Sequence, residues 1–236
     1  MANLITVGRV ALLFGAIAMI YSGSYMLVVL AGFLIAVVFA GDGVDGWVAR
    51  RRGSTSRLGA VLDIAGDRIV ENVLWVVFAH LHLIGVWVPL VVLSRSFTVD
   101  VMRSVALQHG KTAFGAETMA RSRLTHFLTA SRFSRSYYGW SKAVAFVLLT
   151  WMHATTLPSA EGTLLYDLYD FQPFRMLVWF VVYSSVAVCV IRGLPVIYDA
   201  LYYLEEDEPG TVEAGIHNQQ IAPKLTTEQG EHGASS

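Results

Sequence analysis

What this chain lacks narrows its class first. It has one cysteine, Cys189, so no intrachain disulfide can staple it. That cysteine lies in an apolar run, where the expected role is a buried small hydrophobe rather than a reactive thiol. Charge is scarce: Asp, Glu, Lys and Arg make up 15% of 236 residues, against about a quarter in an average soluble domain. The residues AVILMFWYC reach 55%, and mean hydropathy is +0.53. So few charges could not cover a soluble globule of this size. So much apolar content also excludes intrinsic disorder, a collagen-like chain and a small disulfide-dense scaffold. A formal net charge of −1 offers no general attraction to nucleic acid, so none is expected as a partner. No internal repeat stands out. Length and composition together indicate a polytopic membrane protein.

A helix needs about 20 mostly apolar residues to cross a bilayer. Six stretches qualify, at about 4–21, 25–50, 58–82, 86–108, 138–156 and 173–204. They predict an all-α fold of six transmembrane helices over residues 1–204, followed by a polar tail at 205–236 whose composition reads as disordered. The first run has no basic start and no small-residue cleavage site, and its one charge, Arg9, lies inside it. It therefore reads as a retained helix rather than a signal peptide. Three of the five connections hold no lysine or arginine. The other two regions hold 11 of the chain's 17: Arg50, Arg51, Arg52 and Arg57 after the second stretch, then Arg103, Lys111, Arg121, Arg123, Arg132, Arg135 and Lys142 around the fourth-to-fifth connection. Basic and neutral connections alternate, which puts both termini in the cytosol. In the basic connection 111–137, Leu124, Phe127 and Leu128 suit a short helix on an anionic leaflet as well as a solvated loop.

Against this apolar background, Asp42, Asp45, Asp63, Asp67 and Glu71 fall within 30 residues, inside or beside two spans. Each aspartate at a span centre costs ~2.5–3.5 kcal/mol, and neighbouring carboxylates repel or take up protons. A shared multivalent cation resolves the conflict. Asp42, Asp45, Gly46 and Ala49 are spaced i, i+3, i+4, i+7 along one helical stripe, and Gly59, Asp63 and Asp67 follow at i, i+4, i+8 on the next. The loop between them makes an antiparallel hairpin, so four carboxylates can converge near the cytosolic surface. No His or Cys is close in sequence, and oxygen donors favour Mg²⁺ or Mn²⁺, with room for two ions. Gly43, Gly46 and Gly59 leave space for a bulky ligand, and Arg50 can face a phosphate. The chemistry indicated is displacement at phosphorus with a pyrophosphate-type leaving group.

Written out, the string is Asp42-Gly-Val-Asp45-Gly46-Trp-Val-Ala49-Arg50, eight residues, then Gly59-Ala-Val-Leu-Asp63-Ile-Ala-Gly-Asp67. It resembles the signature of the CDP-alcohol phosphatidyltransferase family, D-x2-D-G-x2-A-R-x8-G-x3-D-x3-D, at every fixed position. The opening Asn3, Thr6 and Arg9 are similar to that family's usual start, P-N-x-x-T-x-x-R, with Ala2 in place of proline. The resemblance implies that Asp42, Asp45, Asp63 and Asp67 hold two divalent ions, and that Asp67 also takes the proton from the acceptor hydroxyl. Gly46, Ala49, Arg50, Gly59, Asn3 and Thr6 would surround the CDP moiety. The implied donor is CDP-diacylglycerol and the products are a phosphodiester lipid and CMP. It also implies a homodimer in the plasma (inner) membrane, with the active site open to the cytoplasm.

The acceptor is less sharply marked. Arg95, Arg103 and Lys142 above the carboxylates would suit a small anionic alcohol, because guanidinium groups bind phosphate bidentately. Arg103 and Lys142 equally suit snorkelling to the interface. The Arg95-x7-Arg103 spacing is similar to family members that use glycerol 3-phosphate, the favoured acceptor, with inositol phosphate, serine or another alcohol as alternatives. Ser96 departs from that pattern, where glutamate is usual, and Trp140 departs from a usual lysine. Glu71 is expected to pair with Arg68 or Arg95, or to accept a hydrogen bond. Two rivals from outside the family are weaker. An intramembrane prenyltransferase would leave the D-G-x2-A-R element unexplained. A cation transporter would call for a second acidic site at the external side or a Gly/Pro-broken helix pair, and the sequence shows no sign of either.

Overall fold

The computed structural model describes residues 2–52, 57–108 and 132–206, with side chains at 6–41, 59, 61–102, 104 and 137–198. Each of the six apolar stretches is a helix: α1 (Ala2–Ile20), α2 (Tyr25–Arg52), α3 (Arg57–His80), α4 (Trp87–Gln108), α5 (Arg132–Thr155) and α7 (Gln172–Glu206). Among the described residues there is no strand, as the all-α expectation requires. The expected tail and most of the connection 111–137 lie outside the described residues. Helix α5 begins at Arg132, six residues before the apolar run. Hydropathy registers only the apolar part of a helix, and the residues from Arg132 to Tyr137 include two arginines and two serines.

The connection from α5 to α7 holds more structure than its sequence suggested. A 3-10 turn (Pro158–Ala160) leads into a short helix, α6 (Leu164–Asp170). Thr163 caps α6, its Oγ1 accepting from the Tyr166 N–H at 3.3 Å. Tyr169 is buried and donates its hydroxyl proton to the Leu148 carbonyl of α5 at 2.8 Å. Burial pushes the Tyr169 phenol well above its ordinary pKa, so it stays a donor. At the turn between α1 and α2, Gly23 adopts φ +70°, a conformation other residues rarely take. Ser22 Oγ donates to the Met19 carbonyl at 2.7 Å and closes the last turn of α1. Pro89 and Pro173 sit in the first turns of α4 and α7, where an N–H has no intrahelical acceptor to lose.

The six long helices close a ring: α1 packs on α2 and α3, α2 on α5, α5 on α7, α7 on α4, and α4 on α3. Phe146 of α5 lies at the centre. Its ring centroid is 4.7 Å from Trp75 and 5.9 Å from Phe78, both on α3, and 5.6 Å from Phe39 on α2. Within the described residues, Gln172–Tyr198 of α7 is long and apolar enough to cross a membrane, and Thr6–Ile20 and Tyr25–Gly41 are shorter apolar runs. Helices α3 and α4 carry more charge, and that charge builds the site.

The α2–α5 seam depends on Gly32. The Trp151 indole N–H donates to the Val29 carbonyl at 3.2 Å, which lays the ring across Gly32. A Cβ there would lie 2.7 Å from Trp151 Cδ1. Gly32→Ala is therefore expected to destabilise the bundle by about 1–3 kcal/mol through overpacking, read as a lowered melting temperature in detergent. An unchanged melt would mean that Trp151 can leave its bond to Val29 freely.

Candidate active site

Helix α3 presents Gly59, Asp63 and Asp67 along one stripe, and α1 packs beside it. Gly66 makes the approach close: a Cβ there would lie 2.7 Å from Thr6 Cγ2. One turn along α1, Arg9 is 4% exposed. Its Nε donates to the Val38 carbonyl of α2 at 3.1 Å, and its Nη2 donates to Asp67 Oδ1 at 2.9 Å. Nη1 stands 3.7 Å from Asp63 Oδ1. The two carboxylates remain 47% and 41% exposed, so each keeps an open side. Sequence reading placed Arg9 in a family-like start but gave it no part in the site. A lone charge inside an apolar run was the available signal.

A second polar cluster begins one turn further along α3. Glu71 is 1% exposed. It accepts from Lys142 Nζ at 3.0 Å and from the Tyr138 hydroxyl, both on α5. Glu71 was expected to pair with Arg68 or Arg95 or to accept a hydrogen bond. It does pair with Arg68, whose Nη1 stands 4.0 Å away, and it accepts hydrogen bonds, but its shortest ion pair is with Lys142, which the sequence had not linked to it. Arg68 turns to α4, where Nη2 donates to Asp100 Oδ1 at 2.8 Å and Nη1 to Ser96 Oγ at 3.4 Å. Ser96, where glutamate was usual, is thereby an acceptor for Arg68. Arg95 lies on Gly193 of α7, where a Cβ would sit 2.6 Å from its Nε, and that Nε is buried without a hydrogen-bond partner. Arg192 of α7, unnoticed in the sequence, is buried with its guanidinium carbon 5.9 Å from the Tyr138 ring centroid. Cys189 is buried as expected.

The expected site residues divide accordingly. Thr6, Asp63 and Asp67 lie along the α1–α3 seam, Gly59 lies one turn before Asp63 on the same stripe, and Arg95 and Lys142 lie in the inner cluster that also holds Glu71 and Gly193. Asp42, Asp45, Gly46, Ala49 and Arg50 fall within the helical run of α2. Their side chains lie outside the described residues, as do those of Asn3 and Arg103. Among the described residues no three His, Cys, Asp or Glu side chains converge to hold a metal. Asp63 and Asp67, half-exposed and one turn apart, offer oxygen donors of the kind a hard divalent cation takes.

An all-helical ring with open carboxylates on one stripe and buried cations beyond them suits an enzyme acting on phosphate groups. The comparison with known families agrees. The family of CDP-alcohol phosphatidyltransferases matches residues 1–191, about four-fifths of the chain, and the chain belongs to that family. It is accordingly a transferase of phospholipid biosynthesis that moves a phosphatidyl group from a CDP-alcohol to an alcohol. The family is generally dependent on divalent metal and typically membrane-embedded.

Proposed function

We propose that the protein transfers the phosphatidyl group of CDP-diacylglycerol to glycerol 3-phosphate, releasing CMP, as a phosphatidylglycerophosphate synthase does. The observation that carries this reading is the Asp63–Asp67 stripe, open to a ligand and completing the eight-residue signature, with the cations Arg95 and Lys142 in the neighbouring cluster. In the reaction the acceptor hydroxyl oxygen attacks the phosphatidyl phosphorus. The bond from that phosphorus to the bridging oxygen breaks, CMP leaves with that oxygen, and Asp67 takes the hydroxyl proton. Asp42, Asp45, Asp63 and Asp67 would hold two Mg²⁺ or Mn²⁺ ions, which when bound offset the charge on the pyrophosphate. Gly46, Ala49, Arg50, Gly59, Asn3 and Thr6 would seat the CDP moiety. Arg95, Arg103 and Lys142 would receive the acceptor's phosphate.

We read all six long helices as spans with both termini cytosolic, in the plasma membrane and as a homodimer. At about 1.5 Å per residue the 19 residues of α1 rise ~28 Å and the 24 of α3 ~36 Å, the first close to and the second beyond a hydrocarbon core of ~30 Å. Every long helix turns a large apolar side chain outward: Phe14, Phe33, Ile64, Phe97, Val144 and Phe180 are all exposed. An apolar surface of this extent calls for lipid.

The test is CMP release by purified, detergent-solubilised protein given CDP-diacylglycerol and Mg²⁺ or Mn²⁺, with glycerol 3-phosphate, inositol 1-phosphate, myo-inositol and serine supplied singly. Release is expected with glycerol 3-phosphate and is expected to vanish with EDTA. Metal-dependent release with another acceptor alone would replace glycerol 3-phosphate. No release with any of them, from folded protein, would overturn the reading.

A further inference from the structure

We propose that Arg9 is a positioning residue of this reaction, fixing from behind the two α3 carboxylates that act on the other side. The inference rests on the site assignment made under Proposed function and adds a residue from the first helix to it.

Three contacts of one guanidinium carry the argument. Nε is anchored on the Val38 carbonyl of α2 at 3.1 Å. With that edge held, Nη2 reaches Asp67 Oδ1 at 2.9 Å while Nη1 faces Asp63 Oδ1 at 3.7 Å, so the three contacts together set the plane of the group. The stem lies against Gly41, where a Cβ would stand 3.5 Å from Arg9 Cγ and Cδ. Arg9 is buried and the carboxylates are not, so the contact covers the inner side of the acids and leaves the outer side to ligand.

The anchor itself is informative. Val38 stands one turn before Asp42 on α2, so Arg9 ties the approach to the first aspartate pair to the second pair on α3. A fork that engages a carbonyl and a carboxylate together has no equivalent in lysine, whose ammonium is a point charge on a flexible stem. A merely structural ion pair would need the charge alone. A positioning role needs the fork.

The experiment compares wild type, Arg9→Lys and Arg9→Gln in two assays: CMP release, and Mn²⁺ binding by electron paramagnetic resonance. Arg9→Gln is expected to lower kcat about 100-fold and Arg9→Lys about tenfold, with KM for both substrates within threefold of wild type. Removing a cation from beside the acids is also expected to tighten Mn²⁺ binding several-fold in Arg9→Gln while turnover falls. General loss of structure would loosen Mn²⁺ and lower the melting temperature together. That result, or kcat within twofold of wild type in both variants, would overturn the proposal. If Arg9→Gln does not fold, Arg9→Lys, which keeps the charge but not the fork, carries the test: kcat is expected to fall about tenfold with Mn²⁺ binding and melting temperature near wild type. The binding assay needs no turnover, so it tests Arg9 even if wild type releases no CMP, a result that would instead remove the transferase reading.

Discussion

Asp67→Asn is expected to slow CMP release by roughly 10²–10⁴-fold, the range a positioned general base contributes, at saturating donor, acceptor and metal. The substitution keeps the shape of the side chain and can keep an acceptor oxygen toward Arg9, whose Nη2 is 2.9 Å from Asp67 Oδ1. What it removes is the negative charge and the capacity to take a proton. Asp63→Asn separates the two roles assigned to this stripe. Asp63 stands further from Arg9, at 3.7 Å, and is proposed only as a metal ligand. Its loss is expected to raise the Mn²⁺ concentration needed for half-maximal rate, and excess Mn²⁺ should restore much of the activity. Excess Mn²⁺ should not restore Asp67→Asn, because added cation cannot supply a base. Equal rescue of both variants would reduce Asp67 to a ligand and leave the base unassigned. Activity near wild type in Asp67→Asn would remove it from the mechanism.

The parts of this protein that were legible in the sequence are those fixed by short spacing. Six apolar runs gave six helices because a long apolar segment satisfies its backbone N–H and C=O groups most simply within itself. The aspartate stripe was legible because i, i+4 spacing puts Asp63 and Asp67 on one face whatever surrounds the helix. The pairings that complete the site were not legible. Arg9 meets Asp67 across 58 residues, and Lys142 meets Glu71 across 71. Both contacts exist only because α1 and α5 pack against the same ring as α3, and no local pattern encodes that choice. Glu71 had two nearer candidates: Arg68 reaches it at 4.0 Å but bonds Asp100 more closely, and Arg95 lies on Gly193. Helix α6 escaped notice for the opposite reason: it is 7 residues long, too short to show a period, and it is held by its Thr163 cap and the buried Tyr169.

Glu71→Ala is expected to be among the most destabilising single changes in the bundle, at about 3–5 kcal/mol, the cost of stripping one partner from a buried ion pair. The carboxylate is 2% exposed and Lys142 15%, so solvent cannot take over the lost interaction. Alanine leaves the Lys142 ammonium beside the Tyr138 ring, 5.0 Å from its centroid, with its 3.0 Å carboxylate gone. Tyr138 loses its acceptor at the same time. Glu71→Gln should cost less, because an amide oxygen can still accept from Tyr138, but the Lys142 charge remains uncompensated. The decisive comparison is Glu71→Gln with Lys142→Met, singly and together, by thermal unfolding in detergent. Each single change leaves one polar group stranded, whereas the double change removes the buried pair. The double variant should therefore be more stable than the sum of the singles predicts, with a coupling of about 1–3 kcal/mol. Strict additivity would mean that Lys142 is held by something other than Glu71. Coupling would instead identify Glu71 as what keeps Lys142 in the inner cluster, and acceptor KM should then rise in Glu71→Gln while donor KM does not. That split would join the stability of α3 against α5 to acceptor binding through one buried carboxylate.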